Sequence, residues 1–109
     1  MRRFGQELGL RPEKFDEYKR YHAKIWSEIA DAIHTAGIRN YSIFHRNGRL
    51  FAYYEYIGPP DEYEARMAVL AQAPRMREWW DVMEAMQVPD PDREPGSWWS
   101  DMEEVFHQD

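Results

Sequence analysis

Ile38-Arg39-Asn40-Tyr41-Ser42-Ile43-Phe44-His45-Arg46-Asn47-Gly48-Arg49-Leu50-Phe51-Ala52-Tyr53-Tyr54-Glu55-Tyr56-Ile57 is a pair of runs rich in isoleucine and aromatic residues, joined by Asn-Gly. Such runs read as strands, and Asn-Gly readily takes the two positive φ values of a type I′ turn. The stretch is therefore a β-hairpin with Asn47 and Gly48 as its two-residue loop. Arg46 then faces Arg49, and the register follows by counting: Ile43 opposite Ala52, Tyr41 opposite Tyr54, Arg39 opposite Tyr56. These residues share one face with His45 and Leu50. Asn40, Ser42, Phe44, Phe51, Tyr53 and Glu55 share the other. Both faces carry apolar weight, and a sheet of that kind is usually covered on both sides. Helices supply one cover, and a second subunit is the candidate for the other.

Residues 2–10 read as a further strand, with Phe4, Leu8 and Leu10 on one side and Gln6 between them. Gly5 and Gly9 weaken that strand or mark a close backbone approach. Pro12 opens a helix where its missing N–H does no harm, and Glu13 suits the first turn. Phe15, Tyr18, His22, Ile25 and Trp26 then recur at the spacing of one helix face, with charges on the other. A break near residues 25–27 lets Ser27 cap a second helix, with Ile29, Ala32, Ile33 and Ala36 inward and Gly37 at its end. After the hairpin, Gly58-Pro59-Pro60 is a turn and residues 61–71 form a helix. Another starts at Ala73-Pro74, with Met76, Trp79, Trp80, Met83 and Met86 or Ala85 at helical spacing. A loop with three prolines and a glycine covers residues 88–96, and alternation over residues 102–107 predicts a last strand. The order β-α-α-β-β-α-α-β is that of a ferredoxin-like split βαβ fold, an α+β antiparallel sheet with helices on one face. Two such sheets meeting face to face give a dimeric α/β-barrel.

With 109 residues the chain is expected to be one domain, residues 1–109, long enough to bury a working core. Acidic residues outnumber basic ones, 20 to 14, and no basic stripe is present, which excludes a nucleic-acid binder. Without cysteine, neither a disulfide framework nor a thiolate nucleophile can exist. No signal-peptide pattern and no run of about 18 apolar residues occurs, so no membrane partner and a cytoplasmic location are expected.

Tyr18 and His22, four apart, lie one above the other on one helix stripe. An imidazole titrates near neutrality and can donate or accept protons at working pH, while a phenol beside it can orient a substrate. The same pattern also fits a core helix with one satisfied histidine. Trp79 and Trp80, neighbours on a helix, point about 100° apart, so one can join the core while the other walls a cavity. An indole face suits the apolar side of a sugar ring, and its N–H can reach a hydroxyl. Plain core packing fits the pair equally. Tyr41 on the hairpin completes a pocket with them. His34, His45 and His107 have no metal-ligand spacing with His22, so no metal is expected. Trp98-Trp99 reads as a lid or an interface anchor.

Along nearly its whole length the chain resembles the L-rhamnose mutarotase family. The resemblance is carried by Glu17-Tyr18-Lys19-Arg20-Tyr21-His22 with Ile25-Trp26, Asn40-Tyr41-Ser42-Ile43-Phe44, Leu50-Phe51-Ala52-Tyr53, Trp79-Trp80 with Met83, Pro89-Asp90, and Glu103-Glu104-Val105-Phe106-His107. It implies a dimeric α/β-barrel fold, a homodimer, and an aldose 1-epimerase acting without cofactor on a 6-deoxy monosaccharide. It also implies that His22 is the proton donor and that Tyr18, Tyr41, Trp79 and Trp80 contact the sugar. Two other readings share the fold: a monooxygenase of the dimeric barrel type, and a sugar-binding protein without catalysis.

Overall fold

A computed structural model describes all 109 residues. Strand β1 spans Arg2–Leu10, helix α1 Phe15–Ala23, α2 Ser27–Thr35, β2 Ile38–Arg46, β3 Arg49–Tyr56, α3 Tyr63–Gln72, α4 Pro74–Glu84, β4 Gln87–Val88 and β5 Ser100–Met102. The sheet runs β2-β3-β1-β4, with β5 also on β1, and every pair is antiparallel. Alternation places Leu8, Leu10, Leu50, Ala52, Tyr54 and Tyr56 on one face, and all six are buried. The helices cover that face: Tyr18, Ile29, Met76, Trp79, Met83 and Met86 join Leu8, Leu10 and Leu50 in the larger core cluster. The split βαβ arrangement expected from the element order is the one found. No helix is long and apolar enough to cross a membrane.

The hairpin turn is as expected, with Asn47 at φ 51° and Gly48 at φ 75° and Arg46 paired with Arg49. Ile43 faces Ala52, also as counted. Further along, the count fails by one. A bulge lies between Arg39 and Ser42, so Ile38, not Arg39, faces Tyr56, and Arg39 faces Glu55. Asn40 makes it possible: it sits at φ 53°, a left-handed conformation that asparagine tolerates better than most residues. The bulge buries Ile38 and leaves Arg39 free to donate to the carbonyls of His34 and Ile38.

Three other expectations are corrected. Helix α1 stops at Ala23, because Lys24 takes φ −132° and ψ 58°, and Ile25 is left exposed. Ser27 does not cap α2. Trp26 is the capping residue, its carbonyl accepting from Ile29 and Ala30, while its ring packs edge-on to Trp79 at 5.1 Å. The last strand is shorter and earlier than residues 102–107. Strand β5 pairs Ser100–Met102 with Gly5–Glu7, and residues 103–109 have no regular structure. The alternation there has no core beneath it, and Val105 and Phe106 remain exposed. Strand β4, only two residues long, was not legible; it pairs with Gly9 and Leu10. Gly9 is the close approach that its residue type allows: a Cβ there would meet the Val88 carbonyl oxygen at 3.1 Å.

Candidate active site

Helices α1 and α4, the inner face of the sheet and the loop after β4 enclose one open cavity of about 1200 Å³. All five residues singled out in the sequence line it: Tyr18, His22, Tyr41, Trp79 and Trp80. Tyr18 and His22 come from one stripe of α1, with ring centroids 4.4 Å apart. Trp79 presents its edge to His22 at 5.5 Å and also packs against Tyr21 and Trp26. It is 5% exposed and belongs to the core, whereas Trp80 is only partly covered. The 100° step between neighbouring helix positions thus separates a supporting indole from a more open one. Tyr41 keeps the inner face that the turn register gives it, its ring 5.5 Å from that of Tyr54.

His22 is half-buried, and its Nδ1 lies 2.8 Å from the Tyr18 carbonyl oxygen. A carbonyl can only accept, so Nδ1 carries the hydrogen and donates it. In the neutral ring Nε2 is then the acceptor. Burial pushes the imidazole below its ordinary value of 6.5, and the bond to the Tyr18 carbonyl only partly offsets this. Burial also raises the Tyr18 phenol far above the usual range, against the opposing pull of its hydrogen bond from Gln87. Desolvation pushes Tyr41 up to about 12, although 42% of the residue's surface stays open. The two tyrosines therefore stay protonated at neutral pH, while His22 is a neutral base.

Sequence reasoning did not identify Gln87, and it left Trp98 between a lid and an interface anchor. Gln87, 5% exposed, is the buried polar residue of the chain. It donates from Nε2 to the Tyr18 hydroxyl at 3.0 Å and accepts from the Trp98 indole at 2.9 Å. The loop that carries Trp98 is tied down by charge. Arg49 bridges Asp90 at 2.7 and 3.0 Å and Glu7 at 2.6 Å, and Ser100 also donates to Asp90. The Arg49 guanidinium, with help from Ser100, holds the Asp90 carboxyl below its usual range. Arg93 adds bonds to the Asp90 and Ser97 carbonyls. Trp98 and Trp99 both wall the cavity.

The family model described as L-rhamnose mutarotase matches residues 3–108. An L-rhamnose mutarotase of Opitutus terrae is 42% identical to this chain over 95 residues, 85% of each protein. One of Lactiplantibacillus plantarum is 36% identical over 111 aligned positions, taking in 100% of both chains. Among solved structures, the crystal structure of an L-rhamnose mutarotase from Formosa agariphila superposes with a TM-score of 0.77 at 26% identity, over 100% of both chains. A NIPSNAP family protein from Agrobacterium tumefaciens, 16% identical, shares the fold alone, with a TM-score of 0.59 over 87% of this chain and 97% of that one.

Proposed function

Because the chain belongs to the L-rhamnose mutarotase family, it is an isomerase that interconverts the anomers of L-rhamnose, and we propose that His22 moves the proton in that reaction. The observation that carries the assignment is the 2.8 Å bond that commits Nδ1 to the Tyr18 carbonyl. It leaves Nε2 as the one ring nitrogen free to exchange a proton with a ligand.

Interconversion needs the pyranose ring to open and reclose. The proton leaves the anomeric hydroxyl, the bond from C1 to the ring oxygen breaks, and a C=O forms at C1. The ring oxygen must gain a proton. His22 Nε2 accepts the first proton and, as imidazolium, returns it to the ring oxygen; both oxygens hang on the same carbon. The open aldehyde rotates, and the steps run backward to the other anomer. Atoms and charges balance with no group beyond the sugar and the imidazole. A placed proton-transfer group contributes about 10²–10⁴-fold. Tyr18 and Tyr41, kept protonated, hold sugar oxygens. Trp80 faces the apolar side of the ring and the C6 methyl group, and the small part of Trp79 left open adds an edge to the same wall. The cavity exceeds the common ligand pocket of roughly 300–1,000 Å³, so one monosaccharide fills the part nearest His22.

We further propose that two copies meet by their helix-free sheet faces. Phe44 is 60% exposed, Phe51 38% and Met102 44%. Phe44 and Phe51 lie with ring centroids 6.3 Å apart, and Met102 lies beside them, opposite Gly5. Aromatic rings and methionine on an otherwise open sheet suit an interface core.

The site is tested by saturation-transfer NMR between α- and β-L-rhamnose at 25 °C. His22→Ala is expected to stay folded and to lose the exchange activity by at least about 10²-fold. A folded variant that exchanges as fast as the wild type would make His22 a structural histidine and end the assignment.

A further inference from the structure

We propose that Trp98, acting through Gln87, is a positioning residue that forces Tyr18 to donate its hydroxyl proton to an oxygen of the sugar. The inference rests on the reading that Tyr18 meets the sugar.

The direction of each bond follows from what the groups can do. An indole N–H only donates, so the Gln87 atom 2.9 Å from Trp98 is the carbonyl oxygen. The amide nitrogen is thereby turned to Tyr18, 3.0 Å away, and it too only donates. The Tyr18 oxygen must accept that bond, so its own hydrogen cannot point at Gln87. The hydroxyl makes no other bond to a protein group, and the residue lines the cavity. The hydrogen is left for a ligand acceptor, either a ring oxygen or a hydroxyl. Burial keeps the phenol protonated through the working range, so the donor is never lost to ionisation.

Trp98 supplies the asymmetry. A glutamine amide presents nearly the same shape either way round. Without the indole N–H, nothing holds the Gln87 carbonyl toward residue 98. The amide can turn over, Tyr18 can donate to it, and the phenol then satisfies itself within the protein. The loop that delivers Trp98 is held in place by the Arg49–Asp90 pair at 2.7 Å, so the indole is fixed before any sugar arrives.

Anomer exchange measured against L-rhamnose concentration, with a thermal melt of each variant, separates the possibilities. Tyr18→Phe tests the underlying reading: KM should rise about tenfold, the size of one hydrogen bond, with kcat changed less. Trp98→Phe keeps an aromatic ring at the cavity wall and removes the indole N–H with its five-membered ring; KM should rise by a similar factor while kcat stays within about twofold. The double variant Tyr18→Phe/Trp98→Phe should be no worse than Tyr18→Phe alone, because Trp98 acts only through that hydroxyl. Gln87→Glu gives the same answer by another route. Its carboxylate accepts from both neighbours, captures the Tyr18 proton and raises KM. It carries the test if Trp98→Phe does not fold. Unchanged KM in a folded Trp98→Phe or Gln87→Glu, or additive losses in the double variant, would overturn the positioning role while leaving Tyr18 as a sugar contact. Unchanged KM in Tyr18→Phe would overturn the contact itself.

Discussion

His22 owes its protonation state to two neighbours acting in opposite directions: burial lowers the pKa, and the Tyr18 carbonyl raises it by a smaller amount. Two consequences have a definite sign. Below 6.5 the unfolded chain binds a proton at this position that the native chain resists. Native stability from this group is therefore complete above that value and is lost as the pH falls through the shifted, lower one. The proton transfer proposed for His22 needs the neutral ring, so the exchange rate should be flat at neutral pH and drop on the acid side with a midpoint below about 6.5. A rate–pH series on the wild type checks this, and a midpoint above 6.5 would show that burial does not govern His22. At this scale much of the lining of the candidate cavity was legible. Tyr18 and His22 announce themselves by a spacing of four, and Trp79-Trp80 by adjacency within a helical stripe. Gln87 and Trp98 did not. Gln87 bonds a partner 69 positions away, and a lone glutamine after a helix carries no motif. Its importance comes from being buried, which single-residue chemistry does not announce.

At the level of elements, what could be read depended on how local the cause was. The turn at Asn47-Gly48 is set by two residues and was read correctly. The bulge seven positions earlier is set by a competition between residues: Ile38 must be buried and Tyr41 must reach the cavity, and one added residue at Asn40 allows both. Counting from the turn cannot see that. The last strand failed for a related reason. Its alternation is real, but β1 offers an edge only to Ser100–Met102, and the chain beyond is held through the side-chain pair of Arg3 and Glu104 at 2.9 Å. The turn gives the sharpest stability prediction. Gly48 at φ 75° tolerates a β-branched side chain poorly, at a cost of roughly 1 kcal/mol or more. Gly48→Val should lower the melting temperature by about 5 °C, and an unchanged melt would mean that the turn relaxes to another type.

At the scale of the whole molecule, the fold class was legible because element order and one hairpin leave few topologies open. What lies beyond one chain follows from which surfaces it leaves uncovered. The helix-free face with Phe44, Phe51 and Met102 should bring two chains together, so light scattering at micromolar concentration is expected to give twice 13.2 kDa; a stable monomer would mean that this face is covered in some other way. The edges of the sheet lead to a different outcome. Along β1 the outer edge is closed in two short pieces, by β4 at Gly9 and Leu10 and by β5 at Gly5–Glu7. On the far side, β2 is interrupted at Asn40 and bears Arg39 and Arg46. Open-ended cross-β growth needs a long, flat, uncharged strand margin, and this chain exposes none. An unusually aromatic sheet can therefore meet a twin through its face without becoming the seed of a fibril.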